Sequence, residues 1–207
     1  MKELNYCILI NKDYLIMLND NNKKISWLED FNEAIRLTTS KIGGKVSGLE
    51  EAFISVQTML KDLQKKDGTL WWAGNGGSSS ICSHLAQDVM NNLKIRSQAF
   101  SDASLLTMAS NDFGYESVYS YPLEIMSRPG DMIILISSSG NSDNILKAQK
   151  IAKNNEVGIV TFSGFSSNNK LNNAGSDVDF FLPSDSYGVV EIGHSLLLHC
   201  IIDTMSN

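Results

Sequence analysis

Residues 132–136, Met-Ile-Ile-Leu-Ile, form an unbroken apolar run that leads directly into Ser137-Ser138-Ser139-Gly140-Asn141-Ser142. Five consecutive apolar residues leave no polar face, so the run predicts a strand covered on both sides. Residues 143–154 follow with Ile145, Leu146, Ala148, Ile151 and Ala152 at helical spacing. A doubly covered strand, then a loop, then a helix is the unit of a parallel sheet with helices on both faces. The chain repeats the unit. A strand at 69–73 enters Gly74-Asn75-Gly76-Gly77, a helix fits 78–92, and strands fit 97–101, 157–162 and 178–182. A last helix covers 188–205. Upstream, the spacing of Trp27, Leu28, Phe31, Ala34, Ile35 and Thr38 predicts a helix ending near Gly43-Gly44, and a second spans 49–64. These define one domain over residues 27–207, including two N-terminal helices. Residues 1–26, two short apolar runs and an Asn/Lys-rich turn, read as an N-terminal extension.

Composition narrows the function. With 17 basic and 23 acidic residues the net charge is −6, which argues against the broad basic surface that nucleic-acid binding uses. No apolar run reaches the ~18–20 residues that span a bilayer, and the N-terminus lacks the pattern of a secretory signal. A cytoplasmic, soluble protein is expected. Cys7, Cys82 and Cys200 are an odd number at wide spacings among apolar neighbours, which suggests buried thiols and neither a disulfide framework nor a thiolate zinc cage.

Parallel sheets bind ligands outside the carboxyl ends of their strands. The loop at 137–142 ends the most apolar strand and opens a helix, so a phosphate there can meet free backbone N–H groups and a positive helix end. Hydroxyls of Ser137, Ser139 and Ser142 add neutral donors, and Gly140 allows close approach. Lacking Gly-Lys-Ser/Thr, the loop is not a Walker loop. The alternative is an ordinary Ser-rich turn with an N-cap. Gly74-Asn75-Gly76-Gly77-Ser78-Ser79 nearly matches the dinucleotide fingerprint, with Asp102 available as a ribose acid, but Ser79 stands where the third glycine belongs. A nicotinamide oxidoreductase is therefore the weaker reading. The favoured one is a pocket wall for a polyhydroxylated ligand, with Asn75 bonding its hydroxyls and no nucleotide cofactor.

Ionisable groups gather on two helices. His84 and Asp88 are four residues apart, one turn on one face. Glu191 and His199 are eight apart and share a broad face, with His194 nearby. Two imidazoles and two carboxylates make a plausible set for zinc or another divalent ion, and they also supply acid/base groups. Each has a plainer reading: His84 and His199 as core histidines, Asp88 and Glu191 as solvated or capping carboxylates.

In order, Gly74-Asn75-Gly76-Gly77-Ser78, His84, Asn111-Asp112-Phe113-Gly114, Ser137-Ser138-Ser139-Gly140-Asn141-Ser142, Glu191 and His199 resemble the sugar isomerase (SIS) domain of the sedoheptulose-7-phosphate, or phosphoheptose, isomerases. The resemblance covers about residues 27–205. It implies an α/β fold, a three-layer αβα sandwich on a five-stranded parallel sheet, in a homotetramer with active sites between subunits. It implies that Asn75, Gly76, Gly77, Ser78, Asn111 and Asp112 contact the sugar and that Ser137, Ser138, Ser139 and Ser142 hold the phosphate. It places Asp88 as catalytic base and His199 as its partner, with Glu191 at the substrate and His84, Asp88, Glu191 and His199 as ligands of a possible zinc. The implied reaction converts D-sedoheptulose 7-phosphate to D-glycero-D-manno-heptose 7-phosphate through an enediol, for nucleotide-activated heptose and surface polysaccharide. Two positions depart from the pattern: Asp88 stands where the family has Glu, and Glu191 where it has Gln. The segment before Glu191 is one residue shorter and lacks a common aspartate. Because relatives without the base act by binding alone, a non-catalytic phosphosugar regulator or adaptor is the second reading.

Overall fold

The computed structural model describes residues 23–205. The first helix, α1 (Lys23–Arg36), is followed by a hairpin of β1 (Thr39–Ile42) and β2 (Lys45–Ser47). Gly43 and Gly44 both have positive φ, +54° and +77°, as a two-residue primed turn demands. The helix expected to continue toward Gly43-Gly44 thus stops at Arg36. Next come α2 (Leu49–Lys65), β3 (Thr69–Gly74), α3 (Gly77–Asp88), β4 (Arg96–Ala99), α4 (Ala103–Phe113), α5 (Ser120–Met126), β5 (Met132–Ser137), α6 (Asp143–Asn154), β6 (Gly158–Gly164), α7 (Lys170–Asn173), β7 (Val178–Leu182) and α8 (Tyr187–Asp203). The helix expected over 78–92 is α3 continued by a π-helical turn, Val89–Leu93.

One sheet has the order β2-β1-β7-β6-β5-β3-β4. Its five central and right-hand strands, β7-β6-β5-β3-β4, pair in parallel, as expected. The hairpin adds two antiparallel strands beside β7, making a mixed seven-stranded sheet. All six residues of β5 are buried, as its sequence demands. Alternation splits β3 and β5 between two cores. Leu70, Trp72, Ile134 and Ile136 pack with α2, α3 and α8, while Trp71, Ala73, Ile133 and Leu135 pack with α5 and α6. Each fully buried aliphatic side chain contributes ~1.5–3 kcal/mol relative to exposure. Tryptophan polarity is met locally: Trp71 Nε1 donates to Asp131 at 3.0 Å and Trp72 Nε1 to Ser97 at 2.8 Å.

After β3 the chain moves outward to β4, and after β5 it moves the other way to β6 and β7. The direction of winding reverses between β3 and β5, where such sheets open a crevice at their carboxyl ends. The glycine loop and the serine loop meet there. Cys82 is buried as expected, and burial pushes its thiol pKa up, but Cys200 is exposed, on the solvent side of α8. Cys7 and the apolar runs before residue 23 lie outside the described residues. Among the described residues, no helix is long and apolar enough to cross a membrane.

Candidate active site

A cavity of about 120 Å³ lies at the crevice, lined by Asn75, Ser78, Ile136, Ser137, Ser138, Ser139, Ser142, Tyr187 and Glu191. At ~30 Å³ per water, that is room for about four waters, the scale of a compact polar group. Three helices of twelve or more residues begin at its rim: α3 from Gly77, α6 behind its N-cap Ser142, and α8 from Tyr187. Each brings free N–H groups and a partial positive charge of ~0.5 e, so the helix ends favour an anion in a lining that holds no Lys or Arg and one carboxylate, Glu191.

The serine loop is held tightly. Gly140 has φ +63°, and a Cβ there would collide with the Asn169 side chain, so glycine is required twice over. Gly140 N–H donates to the Ser137 carbonyl at 2.9 Å, and Leu171 N–H donates to the Gly140 carbonyl at 2.9 Å. Asn169, 1% exposed, donates to Ser163 Oγ at 3.1 Å and the Ser166 carbonyl at 2.8 Å, and accepts from Asn172 N–H at 2.8 Å. Ser137 and Ser142 hydroxyls lie 3.2 Å apart. Beneath, His194 is fully buried and its Nε2–H donates to the Ser163 carbonyl at 3.1 Å. Its Nδ1 has no partner. Burial lowers its pKa to about 4, against the raising effect of that one hydrogen bond. His194, not His199, is therefore the core histidine.

Asn75 is less free than the sequence suggested. Its amide N–H donates to Asn144 at 3.0 Å, and its oxygen accepts from Asn144 at 2.8 Å, Tyr115 at 3.2 Å and Tyr119 at 3.1 Å. Asn144 is buried and couples the glycine loop to α6. Gly76 takes positive φ at the N-cap of α3. Asp102 caps α4 by accepting from Leu105 N–H at 2.8 Å, which accounts for it without a ribose. Asn111 and Asp112 are exposed at the end of α4, outside the cavity lining, with Asn111 donating to Asp112 at 2.7 Å.

Farther along the same helices, His84, Asp88 and His199 come together, with one ligand atom from each lying within 4.8 Å of the others. His84 Nε2 is 3.3 Å from Asp88 Oδ2, and the two imidazoles stack obliquely at 5.4 Å. His199 Nδ1 is 3.6 Å from Asp203. Glu191 is outside this group, so the four-ligand set expected from spacing is not assembled. Eight residues at ~1.5 Å each separate Glu191 from His199 by about 12 Å along the helix. Its side chain leans toward the helix start, and its carboxylate packs over Gly77, where a Cβ would collide with both oxygens. Tyr187 also lines the cavity, a position that no motif marks. It is exposed and packs edge-on against Phe165 at 4.8 Å.

Residues 31–164 match the SIS domain family. The phosphoheptose isomerase of Helicobacter pylori (strain ATCC 700392 / 26695) is 32% identical over 164 residues, covering 76% of this chain and 84% of that protein. That of Akkermansia muciniphila is 32% identical over 139 residues, covering 59% and 74%. Among solved structures, phosphoheptose isomerase GmhA from Neisseria gonorrhoeae superposes with a TM-score of 0.78 at 24% identity, covering 92% of this chain and 99% of that one. At that identity the superposition speaks for the fold.

Proposed function

The chain belongs to the SIS domain family, and on that footing we propose that it is an aldose–ketose isomerase converting D-sedoheptulose 7-phosphate to D-glycero-D-manno-heptose 7-phosphate. The observation that carries this is the pairing, on α3 and α8, of an anion cradle of hydroxyls and helix N-termini at one end with a carboxylate–imidazole cluster farther along. The phosphate takes the serine cradle, and the sugar chain extends along the α3/α8 seam. Asp88 removes a proton from the carbon beside the carbonyl and returns it to the former carbonyl carbon. His199 moves the proton between the two oxygens of the enediol and serves ring opening. His84, 3.3 Å from Asp88, orients that carboxylate.

Two imidazoles and one carboxylate suit the three protein ligands of a catalytic zinc with an open position. A zinc held there by His84, Asp88 and His199 would polarise the substrate carbonyl. Ile192 and Leu196 on α8 and Met90 just after α3 are exposed apolar side chains. A second copy that buried them would also bring its surface to the site, in keeping with the homotetramer, with active sites between subunits, that the family resemblance implies. Cytoplasmic location and a heptose destined for nucleotide activation and surface polysaccharide complete the reading.

The test is an NMR assay of purified protein with sedoheptulose 7-phosphate, with and without zinc. New aldose resonances are expected. Binding without turnover under both conditions would instead establish the non-catalytic phosphosugar regulator.

A further inference from the structure

The cradle that would seat a phosphate already contains a carboxylate. Glu191 is the one acidic residue among the nine lining the cavity. Both of its oxygens lie where a Gly77 Cβ would project, at the first turn of α3. Among the described residues no Lys, Arg or His forms an ion pair with it. Its charge therefore faces the same helix ends that would receive the phosphate.

We infer that Glu191 is a specificity-determining residue that discriminates against bare phosphate and makes entry depend on ligand hydroxyl groups donating to its carboxylate. The inference rests on reading the cavity as the phosphate seat. Two anions in a small cavity repel, and more so away from bulk water. A free phosphate offers little to offset this. A phosphomonoester on a polyhydroxylated chain carries hydroxyls beside the phosphate, and each that donates to Glu191 forms a charge-assisted hydrogen bond. The carboxylate then contributes to binding the right ligand and opposes the abundant wrong one. The absence of a side chain at Gly77 is part of the device, because it leaves the carboxylate its position.

The test measures binding of inorganic phosphate and of sorbitol 6-phosphate, a polyol phosphate with no carbonyl to isomerise, by calorimetry at pH 7.5 and fixed ionic strength. Glu191→Gln is expected to bind inorganic phosphate at least about tenfold more tightly than the parent, while sorbitol 6-phosphate gains less than about threefold. Gly77→Ala, which displaces the carboxylate and leaves its charge on the chain, should shift phosphate affinity the same way. Thermal melts confirm that each variant is folded, and Glu191→Gln alone decides the matter if Gly77→Ala is not. Equal phosphate affinity in parent and Glu191→Gln overturns the assignment. Failure of both to bind phosphate overturns it together with the cradle. Absence of isomerase turnover leaves this result unaffected, because both probes are read by binding.

Discussion

The two ends of the α3/α8 seam are built differently. The cradle is built mainly of backbone and short side chains, with Tyr187 and Glu191 at its α8 side, and its loops are fixed by buried amides: Asn169 behind the serine loop and Asn144 behind the glycine loop. The His84–Asp88–His199 cluster is made only of side chains from two helices and is partly open to solvent, with His84 exposed and the other two half-buried. One end is organised before any ligand arrives. The other is completed by what binds to it, whether substrate, metal or a second copy of the chain. Damage to the first should therefore appear in binding and stability, and damage to the second in turnover.

The largest effect would break that division most clearly. Asp88→Asn and His199→Ala should each lower kcat by about 10²–10⁴-fold, the range for losing a positioned acid or base. Both should bind sorbitol 6-phosphate as the parent does. A variant losing affinity and turnover in parallel would mean that the two ends are one binding unit.

Next is stability beneath the cradle. Buried His194 has a folded pKa of about 4 against an ordinary 6.5, so the unfolded chain takes up its proton first. Stability should be full above pH 6.5 and fall as pH drops toward 4, by about 3 kcal/mol from this group. Buried Asp179 acts with the opposite sign, because burial raises its pKa from 3.8 and its contribution is lost as pH rises. Denaturant unfolding of the parent and His194→Gln between pH 4 and 8 isolates the histidine. A parallel loss in both proteins would remove it from the account.

Gly140→Ala tests the lock itself. It forces a Cβ onto Asn169 at positive φ, and unfolding measurements should show a cost of about 2–3 kcal/mol. The smallest effect is expected from Ser139→Ala, which removes one neutral donor. KM should rise by about tenfold with kcat little changed, the size of one hydrogen bond.

The cradle's location was legible because an all-apolar strand ending in serines leaves few alternatives. The parallel pairing of β3, β4, β5, β6 and β7 follows from strand–helix alternation, while their order in the sheet does not. Helical spacing before Gly43-Gly44 masks the hairpin, although Gly-Gly between Lys41-Ile42 and Lys45-Val46 is also a hairpin signal. The segment between β4 and β5 carried no clear period and folds as α4 and α5. The amide locks were not legible, since Asn169 and Asn144 act on loops through partners that only the fold brings near. Tyr187 was hidden for the same reason. Glu191 shares a face with His199 but stands about 12 Å away along the helix axis, so spacing alone groups it with a cluster that comprises only His84, Asp88 and His199.

If the locked cradle and the open cluster act on one substrate by proton transfer, hydrogen from solvent must enter the product. Incubation with sedoheptulose 7-phosphate in D₂O tests it most directly. An aldose 7-phosphate carrying solvent deuterium at C2 is expected, with loss of that signal in Asp88→Asn. Unchanged substrate with no deuterium at C1 and no aldose would contradict it.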